Sequence, residues 1–397
     1  MCRGRGTLEH RLGNLVIFRL RYRNDMSAAP SVCRWGILGT AGISAKNWLS
    51  IANAENAELV AVASRDVAKA EAFIDACQSS RSVARRPDAV GSYEALLARD
   101  DIDAIYLPIP TGLRTEWAVK AAEAGKHIVM EKPCAPTVAD LEKVLSACQK
   151  SGVQFMDGVM FRHSRRLEAI RSFLGDDEQG IGPIRRIASQ FSFCAPEEFR
   201  TGNIRMKSDL EPLGALGDLG WYTISFSLWA MWPRLPDAVT GRMIVSDAAP
   251  GGEKPVPVEF SGELLWRGEE DATASFFCSF LIEHQQWAHV SGPQGSVRVD
   301  DFVLPYIGNE LSFTVSKPRF VVDGCDFRME KHDQTVTVEE YGHGHASAQE
   351  TNLFRHFSKL VVTNTREPYW PEAALAVQQV MMACVASAAA GGREQPL

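Results

Sequence analysis

From Val32 onward, short and uniformly apolar runs alternate with helix-like stretches, and nothing else in the sequence restricts the fold as strongly. The run from Val32 to Leu38 ends at Gly39, and Gly42 to Ala52 reads as a helix. Ala57 to Ala63 reads as a second buried strand, followed by a helix from Asp66 to Cys77 with Asp66 as its cap. The grammar repeats with a helix from Tyr93 to Ala98, a strand from Ala104 to Leu107 and a helix from Thr115 to Ala124. A strand from His127 to Met130, a helix from Val138 to Lys150 and a strand from Val153 to Met156 complete it. Fully apolar strands separated by helices predict a parallel sheet covered on both faces, a doubly wound α/β architecture.

Past Asp157 the pattern changes. Ile184 to Phe193, Val258 to Trp266, Asp271 to Phe280, Ser296 to Phe302, Leu311 to Val315 and Thr335 to Glu339 read as strands without intervening helices. Two helices, Ala346 to Val362 and Glu372 to Ala390, close the chain. This predicts an α+β domain on a mainly antiparallel open sheet. The expected division is a basic leader over 1–30, a doubly wound domain over 31–156 and an α+β domain over 157–397. The Gly/Pro-rich patch from Pro250 to Pro257 reads as a surface loop.

Composition narrows the function classes. With 45% hydrophobic and 23% charged residues the chain is globular, and a net charge of −7 disfavours nucleic acid or anionic membrane as the main partner. Nine scattered Cys without a CxxC pair point to reduced thiols in a cytoplasmic setting. The uncharged stretch from Ala373 to Gly392 is mostly Ala and contains Gln378 and Gln379, so an amphipathic helix is expected rather than a membrane span. The first 25 residues hold six Arg and only Glu9 and Asp25 as acids. Such a leader suits an organellar transit peptide, but it lacks Ser and precedes Met26-Ser27-Ala28-Ala29, so a loose or over-extended tail is expected.

Gly36-Ile37-Leu38-Gly39-Thr40-Ala41-Gly42-Ile43-Ser44 joins the first strand to the first helix. A tight turn at Gly39 aims free helix amides at a pyrophosphate, and Gly39, Thr40, Ala41 and Ile43 are the candidates to hold it. In the G-x-G-x-x-G register, Ala41 and Ser44 replace the second and third glycines, so the motif alone leaves a structural strand-turn-helix open. Ser64 and Arg65 stand where a carboxylate would grip the ribose of NAD. A hydroxyl and a guanidinium suit a 2′-phosphate, and Lys69 adds charge, so NADP is expected over NAD. A solvated loop arginine is the alternative at Arg65.

Glu131-Lys132-Pro133 follows a strand end, and Leu107-Pro108-Ile109-Pro110-Thr111, Met160-Phe161-Arg162, Ile181-Gly182-Pro183-Ile184 and the segment Gly214 to Tyr222 accompany it. Together they resemble the glucose–fructose oxidoreductase/inositol dehydrogenase (Gfo/Idh/MocA) family from Arg34 onward. The closest likeness is to the branch of dimeric dihydrodiol dehydrogenase, NADP-dependent D-xylose dehydrogenase and uncharacterised plant oxidoreductases. The resemblance implies a Rossmann domain and NADP(H)-dependent hydride transfer on a sugar, polyol or diol, with no metal. It places Glu131 at the nicotinamide ribose, Pro108, Pro110 and Thr111 on the nicotinamide side, and Arg162 beside the substrate. It also implies a homodimer through the broad antiparallel face. Arg114 departs from the family pattern, where many relatives carry His.

The reacting groups can be argued from chemistry as well. Lys132 lies at the carboxyl edge of the parallel sheet, where ligands bind, and its ammonium can polarise a carbonyl oxygen beside the cofactor. Tyr222 is the proton carrier, provided the nearby ammonium lowers its pKa from about 10 by ~2–3 units. Asp218, four residues earlier, faces the same side and would orient Lys132, Tyr222 or a substrate hydroxyl. Each has a plain alternative: a solvent-facing lysine, a core tyrosine, a helix-capping aspartate. Arg165 and Arg166 read as an exposed helix face, Arg205 as a loop residue within reach of substrate, and His343 with His345 as a structural loop. A silent NADP-binding regulator and an NAD-dependent sugar dehydrogenase remain as alternative functions.

Overall fold

The computed structural model describes residues 16–18, 32–175, 178–246, 254–308, 310–342 and 344–397. The first apolar run is the strand Cys33–Leu38, buried at every position except Arg34. Six parallel strands follow the order Asp88–Val90, Ala57–Ala63, Cys33–Leu38, Ala104–Leu107, His127–Met130, Phe155–Asp157. Chain order reverses between Cys33–Leu38 and Ala104–Leu107, which leaves a crevice at the carboxyl ends of the strands. Gly39, Pro108 and Glu131 each stand one residue past a strand end, and so along that crevice.

Helix starts follow local chemistry where a cap is present. Asp66 accepts from the Ala68 amide at 3.0 Å, Ser92 from Ala95 and Thr137 from Asp140. Helix Thr111–Glu123 starts four residues before the expected Thr115. Glu211, a hundred residues away, accepts from the Thr111 amide at 3.0 Å and so satisfies an N-terminal donor that the local sequence leaves open. The edge strand Asp88–Val90 was not expected, because three residues offer no apolar run.

Among the described residues the second sheet has ten strands, mostly antiparallel, with Arg186–Ser192 beside Ala272–Ser279 as a parallel pair. Ala238–Val245, Gln285–Gly292 and the hairpin Arg319–Asp323/Asp326–Glu330 add to the expected strands. In Gln285–Gly292 the inward positions are Gln286, Ala288 and Val290, too polar and too small to stand out as a strand pattern. Helices Trp221–Met231 and Tyr369–Ala389 cover one face. The second of these is long and apolar enough to cross a membrane, yet it packs on Ala238–Val245, Trp221–Met231 and Val138–Ser151. Helix Gln349–Val362 returns to the parallel sheet, where Trp35 meets Phe354 and Phe357 at 5.0 and 5.4 Å and donates to Ser358 Oγ. Of the basic leader only Val16–Phe18 is described, beside Asp333–Val338; the rest, like His343, lies outside the described residues.

The exposed face expected at Arg165 and Arg166 holds for Arg165 alone. Arg166 is 1% exposed and bound to Asp301 Oδ1 at 2.5 Å. The start of this helix is held by Glu340, which accepts from the Arg165 amide at 2.5 Å and from Ser164 Oγ at 3.1 Å. Burial pushes the Glu340 carboxyl up from 4.5 to about 7. The native state therefore keeps a proton that the unfolded chain has lost, so stability falls as pH rises through that window. Glu340→Gln retains an acceptor without the charge. It should match the wild type at pH 5 and exceed it by about 2–3 kcal/mol at pH 8 in urea denaturation. Equal pH slopes for the two proteins would refute the assignment.

Candidate active site

The dinucleotide turn is built as its residues require. Gly39 has φ +123, and a side chain there would meet Ile109 Cγ2 at 3.1 Å. Its amide donates to Ala63 O, and Ser44 Oγ closes the turn by donating to Gly39 O at 3.1 Å. Serine in place of the third glycine thus serves the turn. Ala41 provides no side-chain cap to helix Gly42–Asn53, and the space over Gly42 is open. Ser64 is buried; Arg65 and Lys69 are exposed and form no ion pair among the described residues. Arg65 lies near enough to Tyr93 for its charge to act on that phenol, which burial otherwise raises.

Lys132 precedes a cis bond to Pro133 and projects toward the second half of the chain. Its Nζ donates to Asp218 O at 2.7 Å and to Asp218 Oδ1 at 2.8 Å. Gly217 permits the approach, since a Cβ there would come within 2.9 Å of Pro133 Cγ. Leu216–Gly220 forms a π-helical turn that runs into helix Trp221–Met231, and Asp218 and Tyr222 both meet Lys132. Arg205 Nε adds a second cation at 2.8 Å from Asp218 Oδ1. Burial works to raise the Asp218 carboxyl, but Lys132 and then Arg205 outweigh it and hold it at about 2.

Tyr222 corrects one expectation. Lys132 Nζ lies over its ring, 4.7 Å from the centroid, with its charge committed to Asp218. The phenol is pushed well above its ordinary pKa by burial, then by the charges of Glu131 and Asp218. The anticipated lowering is absent. The Tyr222 hydroxyl makes one weak contact, to Met160 Sδ at 3.6 Å.

Tyr222, Met160, Gly158, Glu131, Tyr106 and Ile43 line a narrow cavity of about 20 Å³ that opens to the crevice. Tyr106 donates to Glu131 Oε1 at 2.5 Å and accepts from Asn47 Nδ2 at 2.6 Å, which fixes Glu131 at the strand end. Two expected residues face elsewhere. Thr111 donates its hydroxyl to Glu211 Oε2 at 2.5 Å, so that hydroxyl is not free for a ligand. Arg162 turns away from the cavity to Ser225 Oγ and the Tyr369 hydroxyl, and stacks on Tyr369 and Trp370. Pro108 is buried and Pro110 half-buried at the edge of the same crevice. Arg114 is buried and donates to Ile109 O, Thr111 Oγ1 and Pro133 O, so it braces the loop under Lys132. His345 accepts from the Ser347 amide, and no three metal-ligating side chains cluster among the described residues. The sequence pattern does not single out Glu211, Asn47 or Tyr106, because their partners come from distant segments.

A dinucleotide crevice that ends against a partly buried, carboxylate-held lysine defines a nicotinamide-dependent oxidoreductase. The oxidoreductase family with an NAD-binding Rossmann fold matches residues 33–159, and the GFO/IDH/MocA C-terminal domain matches 176–298. A D-xylose 1-dehydrogenase (NADP(+)) of Haloferax volcanii is 32% identical over 70% of this chain and 80% of its own. A dTDP-3,4-didehydro-2,6-dideoxy-alpha-D-glucose 3-reductase of Streptomyces violaceoruber is 30% identical over 77% of this chain and 82% of its own. In fold, a 3-ketoreductase of Actinomadura kijaniata solved with NADP and TDP-benzene superposes with a TM-score of 0.73 at 23% identity, covering 90% and 98% of the two chains. The chain belongs to the GFO/IDH/MocA oxidoreductase family, as its motifs implied.

Proposed function

We propose that the protein is an NADP(H)-dependent oxidoreductase that interconverts a secondary alcohol and a carbonyl on a sugar, polyol or dihydrodiol. One observation carries the reading. An ammonium has three hydrogens, and Lys132 commits two to Asp218, which leaves the third for a substrate oxygen beside Tyr222. The surroundings fit the cofactor: an uncapped helix start, open space over Gly42, and Arg65 and Lys69 without ion-pair partners among the described residues, where a 2′-phosphate would lie. Glu131 would hold the nicotinamide ribose. When bound, the nicotinamide gives or takes the hydride. Lys132 polarises the reacting oxygen, Asp218 keeps Lys132 aimed, and Tyr222 moves the proton. The relatives named for NADP-linked xylose oxidation and for sugar ketone reduction support the substrate class. The open face of the ten-stranded sheet, with Phe277 and Trp287, is where the expected homodimer would pair.

Turnover of pentoses, hexoses and dihydrodiols with NADP⁺ and NAD⁺, and of their ketones with the reduced forms, tests the proposal. Saturable NADPH binding without turnover on any of them would mean a non-catalytic NADP-binding protein. Arg65→Asp should weaken NADPH binding by about 10–100-fold, the value of a charge-assisted contact to phosphate, and should shift preference toward NADH. A wild type that already prefers NADH would defeat the cofactor assignment.

A further inference from the structure

Helix Gln349–Val362 brings one more carboxylate to the cavity. Glu350, in its first turn, is 5% exposed. Its Oε1 pairs with Lys46 Nζ at 2.5 Å, while Oε2 is buried with no hydrogen-bond partner. Both residues line the cavity that also holds Ile43, Glu131, Met160 and Tyr222. A buried carboxylate oxygen without a donor is costly and calls for a ligand that supplies one. Packing fixes its place: Phe354, four residues along the helix, meets Tyr106 at 5.7 Å, and Tyr106 holds Glu131. The missing donor is therefore an N–H or O–H that enters this cavity. Ile43, in the first turn of the dinucleotide helix, marks it as the cofactor end of the crevice, and Lys132 and Asp218 are not among its lining residues.

We propose that Glu350 Oε2 accepts a hydrogen bond from the carboxamide NH₂ of the nicotinamide, and that Lys46 holds Glu350 in place to do so. This rests on the NADP(H) reading above. The pair would set the rotation of the ring and hence the face offered to the substrate. Lys46 leaves Glu350 one oxygen free, so the carboxylate accepts the amide and has no use for a methyl ketone in its place.

The test compares the affinities of NADPH and of its 3-acetylpyridine analogue, in which a methyl replaces the NH₂, by quenching of protein fluorescence. The wild type should bind NADPH at least ~10-fold more tightly than the analogue. Glu350→Leu should bring that ratio to within about twofold. In Glu350→Gln the one acceptor oxygen faces Lys46 and an NH₂ faces the cavity, so the preference should fall or reverse. Adenosine 2′,5′-bisphosphate, which lacks the nicotinamide, should bind all three proteins alike and reports that each is folded. A wild-type ratio near one, or variants that keep the wild-type ratio, overturns the inference. So does an unchanged ratio with a raised sugar KM, which would assign Glu350 to a substrate hydroxyl. A wild type that binds the bisphosphate but not NADPH overturns the cofactor reading as well.

Discussion

Lys132→Met should lower kcat/KM for the sugar or diol by about 10³–10⁴-fold while NADPH affinity stays within about twofold. Lys132 gives two of its hydrogens to Asp218 and, in the proposed reaction, the third to the substrate oxygen; methionine fills its volume without donor or charge. Removing one member of a buried ion pair is ordinarily severe, because the other charge is stranded. Here Arg205 remains at 2.8 Å from Asp218 Oδ1, so the carboxylate keeps a partner and the fold should survive. A circular-dichroism melt that stays within about 5 °C of the wild type separates lost chemistry from lost structure. The loss should appear in kcat, since the hydrogen bond strengthens as charge develops on the oxygen. A variant with near-normal kcat would remove Lys132 from the reaction.

The parallel sheet was legible because its strands are buried on both faces and write themselves as apolar runs: Ala57–Ala63, Ala104–Leu107 and His127–Met130 stand where the pattern put them. Asp66 was legible as a cap because capping acts within two residues. Signals that depend on remote partners were not. Arg166 looks like any helix-face arginine until Asp301, 135 residues away, is brought against it. Arg162 shares a motif with Met160, yet Tyr369 and Ser225 draw its guanidinium away from the cavity. In the site, the sequence placed Lys132, Asp218 and Tyr222 together by motif, and the structure brings them into contact. It could not show that Asp218 would absorb the charge of Lys132 and leave the phenol unassisted, since that follows from where one ammonium points. Nothing in the sequence marks Glu350 or Lys46; only the meeting of their two helices makes a half-satisfied carboxylate.

Tyr222→Phe should reduce kcat for hydride transfer by about 10²–10⁴-fold, and the pH profiles should show why. Burial, then the charges of Glu131 and Asp218, hold the phenol in its neutral form well above its ordinary range. Carbonyl reduction draws on that proton, so between about pH 6 and 9 it should be insensitive to the state of Tyr222. Alcohol oxidation needs a proton acceptor, and the small fraction of phenolate grows about tenfold per pH unit below the pKa. The oxidation rate should therefore climb through the same range without a plateau, and the slope should vanish in Tyr222→Phe. The substitution spares the packing: the ring keeps Lys132 on its face and Phe191 and Phe161 at 5.6 and 6.2 Å, and only the contact to Met160 Sδ is lost. A melting temperature within about 2 °C of the wild type is expected. If the variant keeps both the wild-type rate and the wild-type oxidation slope, the proton travels by another group, and Tyr222 is a wall of the cavity.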